Sequence, residues 1–304
     1  MSTTAAPVGV TGAAKTISMQ ATKTKKRLTS PWASLAAVII AILWTLPTFG
    51  LLITSIRPVS DINSSGWWTF FTNPAFTLDN YKQVLDTQTS GTTLSQAFIN
   101  SVVITLPAVV IPICLASLAS YAFAWIEFKG RDFLFVLVFA LQIVPIQVTL
   151  IPLLSLFVKL NLAGTFWPVW ISHSIFALPL AIFLLHNFMK EVPRELIEAA
   201  RVDGAGHVKI FFQVLMPLLT PAIAAFGIFQ FLWVWNDLLV AITFASDATT
   251  SPMTVLLQNM TGTRGSSWFL LSAGAFISIA LPLAVFLSMQ RFFVRGLLAG
   301  SVKG

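Results

Sequence analysis

Pro193-Arg194-Glu195-Leu196-Ile197-Glu198-Ala199-Ala200-Arg201-Val202-Asp203-Gly204 lies between two long apolar stretches and is followed, after nine more residues, by Val214-Leu215-Met216-Pro217. The segment reads as a short helix with defined ends. Pro193 suits the first helical turn, where its missing N–H costs nothing, and Gly204 suits a C-terminal stop after residues 194–203. Glu195 and Glu198 place negative charge in the N-terminal half, where the helix dipole favours it, while Arg201 and Asp203 offset one another near the end. Leu196, Ile197 and Ala200 share one side at helical spacing, and the small Ala199 and Ala200 let another surface approach the backbone. Two uses fit such a helix: docking of a partner protein, or lying in a membrane surface without one.

The flanking stretches are membrane material. The chain of 304 residues is 56% hydrophobic and 10% charged, with a mean hydropathy of +0.84, and a soluble chain of this size has no means of hiding so much apolar surface. Segments 33–56, 96–125, 133–158, 165–188, 219–245 and 268–290 are each long enough to cross a hydrocarbon core of about 30 Å. The fold class expected is therefore all-α, with six transmembrane helices. Residues 1–31, rich in Thr, Ala and Lys, form a disordered tail, 32–295 the membrane domain, and 296–304 a C-terminal tail.

Of the 18 Lys and Arg residues, only Arg57, Lys82, Lys159 and Arg264 fall on the loops 57–95, 159–164 and 246–267. The excess on the opposite side makes that side, with both termini, cytoplasmic. The net charge of +7 records this topology rather than nucleic-acid binding, because the basic residues form no stripe interleaved with aromatics. The first apolar run, Ala33 to Ile56, is too long for a secretory h-region and ends in Arg57-Pro58 without a small-x-small site, so a retained span is expected. Cys114 is the single cysteine, which leaves neither a disulfide nor a cysteine metal cluster within the chain.

Polar residues at membrane depth are sharper clues. Asn236 and Asp237 follow Trp235 in the outer half of the fifth segment, with Gln230 seven residues before Asp237 on the same face. Gln142 and Gln147 flank Pro145, Asn100 and Ser101 open the second segment, and Ser172-His173-Ser174 notch the fourth. Each serves either interhelical hydrogen bonding or a solute path, and Gln147, Gln230, Asn236 and Asp237 are the candidates for the path. His173 stands too isolated for a metal ligand. Prolines at 47, 107, 112, 145, 152, 168, 179 and 282 each remove a backbone hydrogen bond and permit a kink. Trp67 and Trp68, beside a span, are either interface anchors or part of an external docking surface.

No Gly-x-x-x-x-Gly-Lys-Ser/Thr, Gly-x-Ser-x-Gly or His-Glu-x-x-His pattern occurs, so the chain is neither a standard P-loop ATPase nor an enzyme of those hydrolytic classes. The spacing Glu198-Ala199-Ala200, three residues, Gly204, nine residues, Val214-Leu215-Met216-Pro217 closely resembles the Glu-Ala-Ala loop of permease subunits of binding-protein-dependent ABC importers. Over about 32–304 the chain is similar to their carbohydrate branch. The carrying residues are Ser55-Ile56-Arg57-Pro58, Leu78-Asp79-Asn80-Tyr81, Asn100-Ser101, 119–124, 128–131, Trp235-Asn236-Asp237, 290–294 and 300–304. Stretches 229–239 and 295–304 look most like permeases for α-glucosides such as maltose or trehalose.

That resemblance implies a non-enzymatic pore subunit of a bacterial inner membrane with the importer permease fold. Its partners are a second permease, two ATPase subunits that hold ATP and Mg, an external sugar-binding protein, and membrane lipid; this chain itself needs no cofactor. Glu195, Glu198, Ala199, Ala200, Asp203, Gly204 and Pro217 then form the ATPase-coupling element. The resemblance further implies that Gly296, Gly300, Val302, Lys303 and Gly304 reach between the ATPase domains. Thr261, Gly262, Gly265 and Ser266, in the loop 249–267, contact the binding protein on the same ground. A competing reading is a secondary sugar transporter or channel independent of any ATPase, although no inverted repeat is evident between the two halves.

Overall fold

A computed structural model of the chain describes residues 31–260 and 267–299, with side chains as far as Gln290. The described chain begins with α1 (Pro31–Ser55), whose apolar residues are largely exposed, as a helix bordering lipid requires. An outer segment follows, made of α2 (Val59–Ser64), a 3₁₀ turn (Trp67–Phe71) and α3 (Asp79–Asp86). It ends in a hairpin of β1 (Gln88–Thr89) and β2 (Thr92–Thr93), closed by Ser90 and Gly91 at φ 53° and 80°, the positive values that a tight hairpin turn demands. Then come α4 (Leu94–Trp125), α5 (Arg131–Ala140), a 3₁₀ turn (Leu141–Ile143), α6 (Ile146–Lys159), α7 (Trp167–Lys190) and α8 (Arg194–Val202). The last part holds α9 (His207–Lys209), a π-helical turn (Ile210–Leu215), α10 (Met216–Asn236), α11 (Leu239–Phe244), α12 (Met253–Met260) and α13 (Trp268–Ala299).

At the centre is α4, packed along α7 and against α10, while α13 lies on α10, α1 and α3. Small side chains make this closeness possible: Ala108, Ala116, Ala177 and Ala181 are fully buried in the bundle core. Polar groups then bridge the helices, Ser120 Oγ donating to the Ile182 carbonyl and Trp170 Nε1 to the Val103 carbonyl, each at 3.0 Å. Both bonds satisfy side chains that would otherwise stand unpaired at membrane depth.

Five helical runs among the described residues are long and apolar enough to cross a membrane, and α5 with α6 makes a sixth candidate bent by 98°. The third span, expected over 133–158 with kinks permitted at its prolines, is thus broken into two helices. Pro145 has no N–H and drives the residue before it out of helical geometry, so Val144 is extended at φ −70° and ψ 120°. The fifth span is also corrected. Its helix begins earlier, at His207, and ends at Asn236 rather than running to 245; Asp237 is extended at ψ 132° and the chain restarts as α11. The final helix runs to Ala299, past the boundary at 295.

Trp67 packs over the backbone of α1: a Cβ built on Gly50 would lie 2.8 Å from its Nε1, and its ring meets Phe49 edge-on at 6.1 Å. Trp68 stays 64% exposed, so of the pair it is the one available to lipid or to a partner. Gly50→Val is expected to destabilise this outer corner by about 1–3 kcal/mol through overpacking, with Gly50→Ala milder. Thermal unfolding of the purified variants, followed by tryptophan fluorescence, checks it; equal midpoints for wild type and Gly50→Val would mean that Trp67 moves aside freely.

Candidate functional site

The segment 193–204 folds as a seated helix. Pro193 stands at the N-cap of α8, one position before the first turn, with φ −56° and ψ 134°. The C-terminus closes as a Schellman motif: Ala205 N–H donates to the Ala200 carbonyl at 2.9 Å and Gly204 N–H to the Arg201 carbonyl at 2.9 Å. Gly204 takes φ +78° with open space around its α-carbon, so it is required for conformation and not for clearance.

Ile197 is the anchor. It is 2% exposed in a cluster with Tyr121, Met189, Ile210, Phe211 and Leu215, which fastens α8 to the ends of α4 and α7. Ala200 is partly buried against the same cluster, but Leu196 is 43% exposed and does not share that side, contrary to the spacing argument; in so short a helix it lies on the flank. The Tyr121 hydroxyl and His207 Nδ1 are hydrogen-bonded at 2.8 Å, so α4 also holds the residue that starts the next helical run. Glu195, Glu198, Ala199 and Asp203 are all exposed. Pro217 lies in the first turn of α10, directly after the π turn; lacking an N–H, it cannot bond the Gln213 carbonyl, and the wider register before it accommodates that loss. The free surface of the element is apolar in places as well as charged, with Val202 87%, Val208 73% and Phe212 60% exposed.

The interior polar residues separate into two groups. Gln147 is exposed at the α5–α6 bend, in a cavity of about 490 Å³ that it shares with Gln142, Thr149, Phe176, Pro179 and Trp233. Gln230 is buried in the bundle, donating to the Ala108 carbonyl at 3.2 Å, with its Oε1 unpaired among the described residues. Asp237 does not meet Gln230. Its Oδ2 accepts from Ala241 N–H at 3.0 Å, capping α11, and lies 3.8 Å from His173 Nε2, while Thr254 Oγ1 donates to its carbonyl at 2.7 Å. The helix ends before Asp237, which removes the shared face that seven-residue spacing implies. Asn236 is exposed and donates back to the Leu232 carbonyl at 2.7 Å.

Asn100 and Ser101 turn out to be anchors for the loop before α12. Asn100 Nδ2 donates to the carbonyls of Thr249 and Ser251 at 3.0 Å each, and Ser101 Oγ accepts from Met253 N–H at 2.8 Å. Sequence reasoning missed a second anchor altogether. Arg57 is buried and donates to the Asp61 carbonyl, Ser65 Oγ and Thr69 Oγ1, while Asn80 donates to the carbonyls of Ser55 and Arg57 and the hydroxyls of Ser55 and Tyr81 are bonded at 2.8 Å. The quoted groups 55–58 and 78–81 therefore hold one another, and their shared polarity beside an apolar span was the available signal. Thr261, Gly262, Gly265, Ser266, Gly300, Val302, Lys303 and Gly304 lie outside the described residues, and so does the N-terminal tail to residue 30; at Gly296 only the helical backbone is described.

A seated amphipathic loop helix on a bundle with one broken span suits an importer permease, and known proteins agree. The family described as "Binding-protein-dependent transport system inner membrane component" matches residues 112–298, and the chain belongs to it: it is a multi-pass inner-membrane permease component. It is 52% identical over 291 residues to the osmoprotective compounds uptake permease protein GgtD of Synechocystis, covering 93% of this chain and 96% of that one. To the alpha-glucoside transport system permease protein AglG of Rhizobium meliloti it is 47% identical over 262 residues, covering 82% and 68%. In fold it matches a crystal structure of a bacterial ABC transporter that imports the polysaccharide alginate, at a TM-score of 0.72 and 20% identity over 88% of this chain. The resemblance to permease subunits of carbohydrate ABC importers thus holds for family and fold.

Proposed function

We propose that this chain is the pore subunit through which an ATP-driven importer takes up an α-glucoside such as maltose or trehalose, and that α8 is its coupling helix. The observation that carries the coupling reading is the pairing of a buried Ile197 with an exposed outer surface of Glu195, Glu198, Ala199 and Val202: the helix is fixed to the bundle on one side and offers charge, small residues and apolar area on the other. A partner ATPase with a cleft for this helix moves the ends of α4 and α7 when it closes over ATP and Mg, because Ile197 and Tyr121–His207 tie them together. A second permease, two ATPase subunits and an external sugar-binding protein complete the assembly, with both termini in the cytoplasm. Gly296 and Gly300 to Gly304 reach the ATPases, and Thr261 to Ser266 reach the binding protein. The solute passes the bend cavity at Gln147, with the exposed Asn236 and partly exposed Asp237 supplying polar surface beyond it, while Gln230, buried in this conformation, meets the path only when the bundle rearranges.

For the substrate, the support is the name carried by AglG together with 47% identity. Glu198→Ala is expected to lower uptake of labelled trehalose or maltose at least tenfold, with membrane insertion unchanged and the ATPase lost on co-purification. Gly204→Val should act in the same direction through strain at positive φ. Normal uptake with normal ATPase recovery in both variants would remove α8 from coupling. Uptake unaffected by α-glucosides, in competition against the native solute, would remove only the substrate class.

A further inference from the structure

Beside α8 lies a cavity of about 380 Å³ whose charged lining comes from four elements: Arg131 at the start of α5, Lys190 in the last turn of α7, Arg194, Glu198 and Arg201 of α8, and Glu127 after α4. Cations outnumber carboxylates, and among the described residues only Arg131 of the four cations makes an ion pair, to Asp132 at 3.1 Å. Trp125 lines the same space, and its indole Nε1 is buried without a partner among the described residues. The cavity sits where α4 and α7 end and α5 begins, at the level where spans leave the hydrocarbon. Lys190 also heads a second hollow of about 670 Å³ along α7, walled by Leu180, Phe183, Leu184 and Phe188, with Asn187 and Glu191 also in its lining. That wall is firm, since the Phe183 ring stacks on Phe139 at 4.4 Å.

We infer that these two hollows form one binding site for an anionic phospholipid, its phosphate among Arg131, Lys190, Arg194 and Arg201 and an acyl chain along Leu180, Phe183 and Leu184. Guanidinium groups hold phosphate oxygens in a bidentate fork, and basic pockets between membrane helices at the cytoplasmic side suit such headgroups. The largely apolar hollow, which shares Lys190 with the charged one, is what favours a lipid over a free anion, because a solvated phosphate has no use for it. A bound lipid would link the membrane surface to α8 directly, making the seating of that helix responsive to lipid charge. The inference rests on the inward orientation of α8, but lipid binding itself is measurable without it.

Native mass spectrometry of the full chain, assembled with its partners and purified in mild detergent from membranes containing phosphatidylglycerol, tests this. Wild type should retain phosphatidylglycerol, Arg131→Gln/Lys190→Gln should weaken retention about 30-fold, and Leu184→Trp, which fills the apolar hollow and leaves every cation in place, should weaken it clearly. Equal retention in all three proteins overturns the site. Loss confined to the charge variant, together with displacement by inorganic phosphate, assigns a free phosphate ion and overturns the lipid. Normal uptake and ATPase recovery in Glu198→Ala would overturn the coupling reading, whereas retention is compared among proteins that all keep Glu198, a lining residue of the cavity, so the two readings fail separately.

Discussion

Ile197→Asp is expected to abolish uptake while leaving the chain in the membrane. At 2% exposure the side chain sits among Tyr121, Met189, Ile210, Phe211 and Leu215, where the one polar group, the Tyr121 hydroxyl, is already bonded to His207 Nδ1. An ionised group left unpaired there costs several kcal/mol beyond the apolar contact that is lost, and α8, with nine residues, has too little intrinsic stability to stay in place without its anchor. The spans do not depend on it, because they are held by α4, α7 and α10 through separate contacts. Ile197→Val, at about 0.5–1.5 kcal/mol, should keep most of the activity. Uptake, ATPase recovery and cleavage by trypsin at Arg194 and Arg201 read the outcome together. An Ile197→Asp protein that transports normally would show that α8 transmits nothing through this seat.

Helix ends governed by backbone chemistry are legible from sequence, and those governed by distant side chains are not. The stop at Gly204 follows from the need for positive φ, which few residues besides glycine meet, and the structure adds only the Schellman bonds. The bend at Pro145 was half legible: proline signals a lost hydrogen bond, but whether a span tilts, kinks or turns by 98° depends on what α7 offers the two pieces. Hydropathy placed the spans well where an apolar run is also one continuous helix, as in α1, α4 and α7. It failed at 237–245, where α11 is apolar yet short, because Asp237 caps its start and bonds across to α12 through its carbonyl. The candidate site shows the same division. Glu198, Ala199 and Gly204 were found by their spacing, whereas Tyr121–His207 joins residues far apart in the chain and carries no local signature. Gln230 and Asp237 were paired on helical periodicity, and the periodicity stopped one residue too soon.

Asn80 is the residue on which the outer segment should depend most. Its side chain is 1% exposed and both its amide hydrogens are committed, to the Ser55 carbonyl at 3.0 Å and the Arg57 carbonyl at 2.8 Å, at the point where α1 ends. The Ser55 carbonyl is the last of α1 and has no intrahelical donor, and the Arg57 carbonyl lies in the turn just beyond it, so Asn80 closes the end of α1 from more than twenty residues away in sequence. Arg57 leans on the same turn, with its guanidinium aimed at Asp61, Ser65 and Thr69, and Tyr81 adds the bond to Ser55. Asn80→Ala leaves two buried acceptors unpaired, a loss of about 2–4 kcal/mol. Asn80→Asp should be worse, because it keeps the shape and turns a donor into an acceptor facing two carbonyls, where charge adds repulsion to desolvation. Proteolysis of 57–86 in the folded protein and the unfolding midpoint measure both variants. Were Asn80→Asp as stable as wild type, the corner would be held by Arg57 and the packing of Trp67 alone, and the amide would be a bystander.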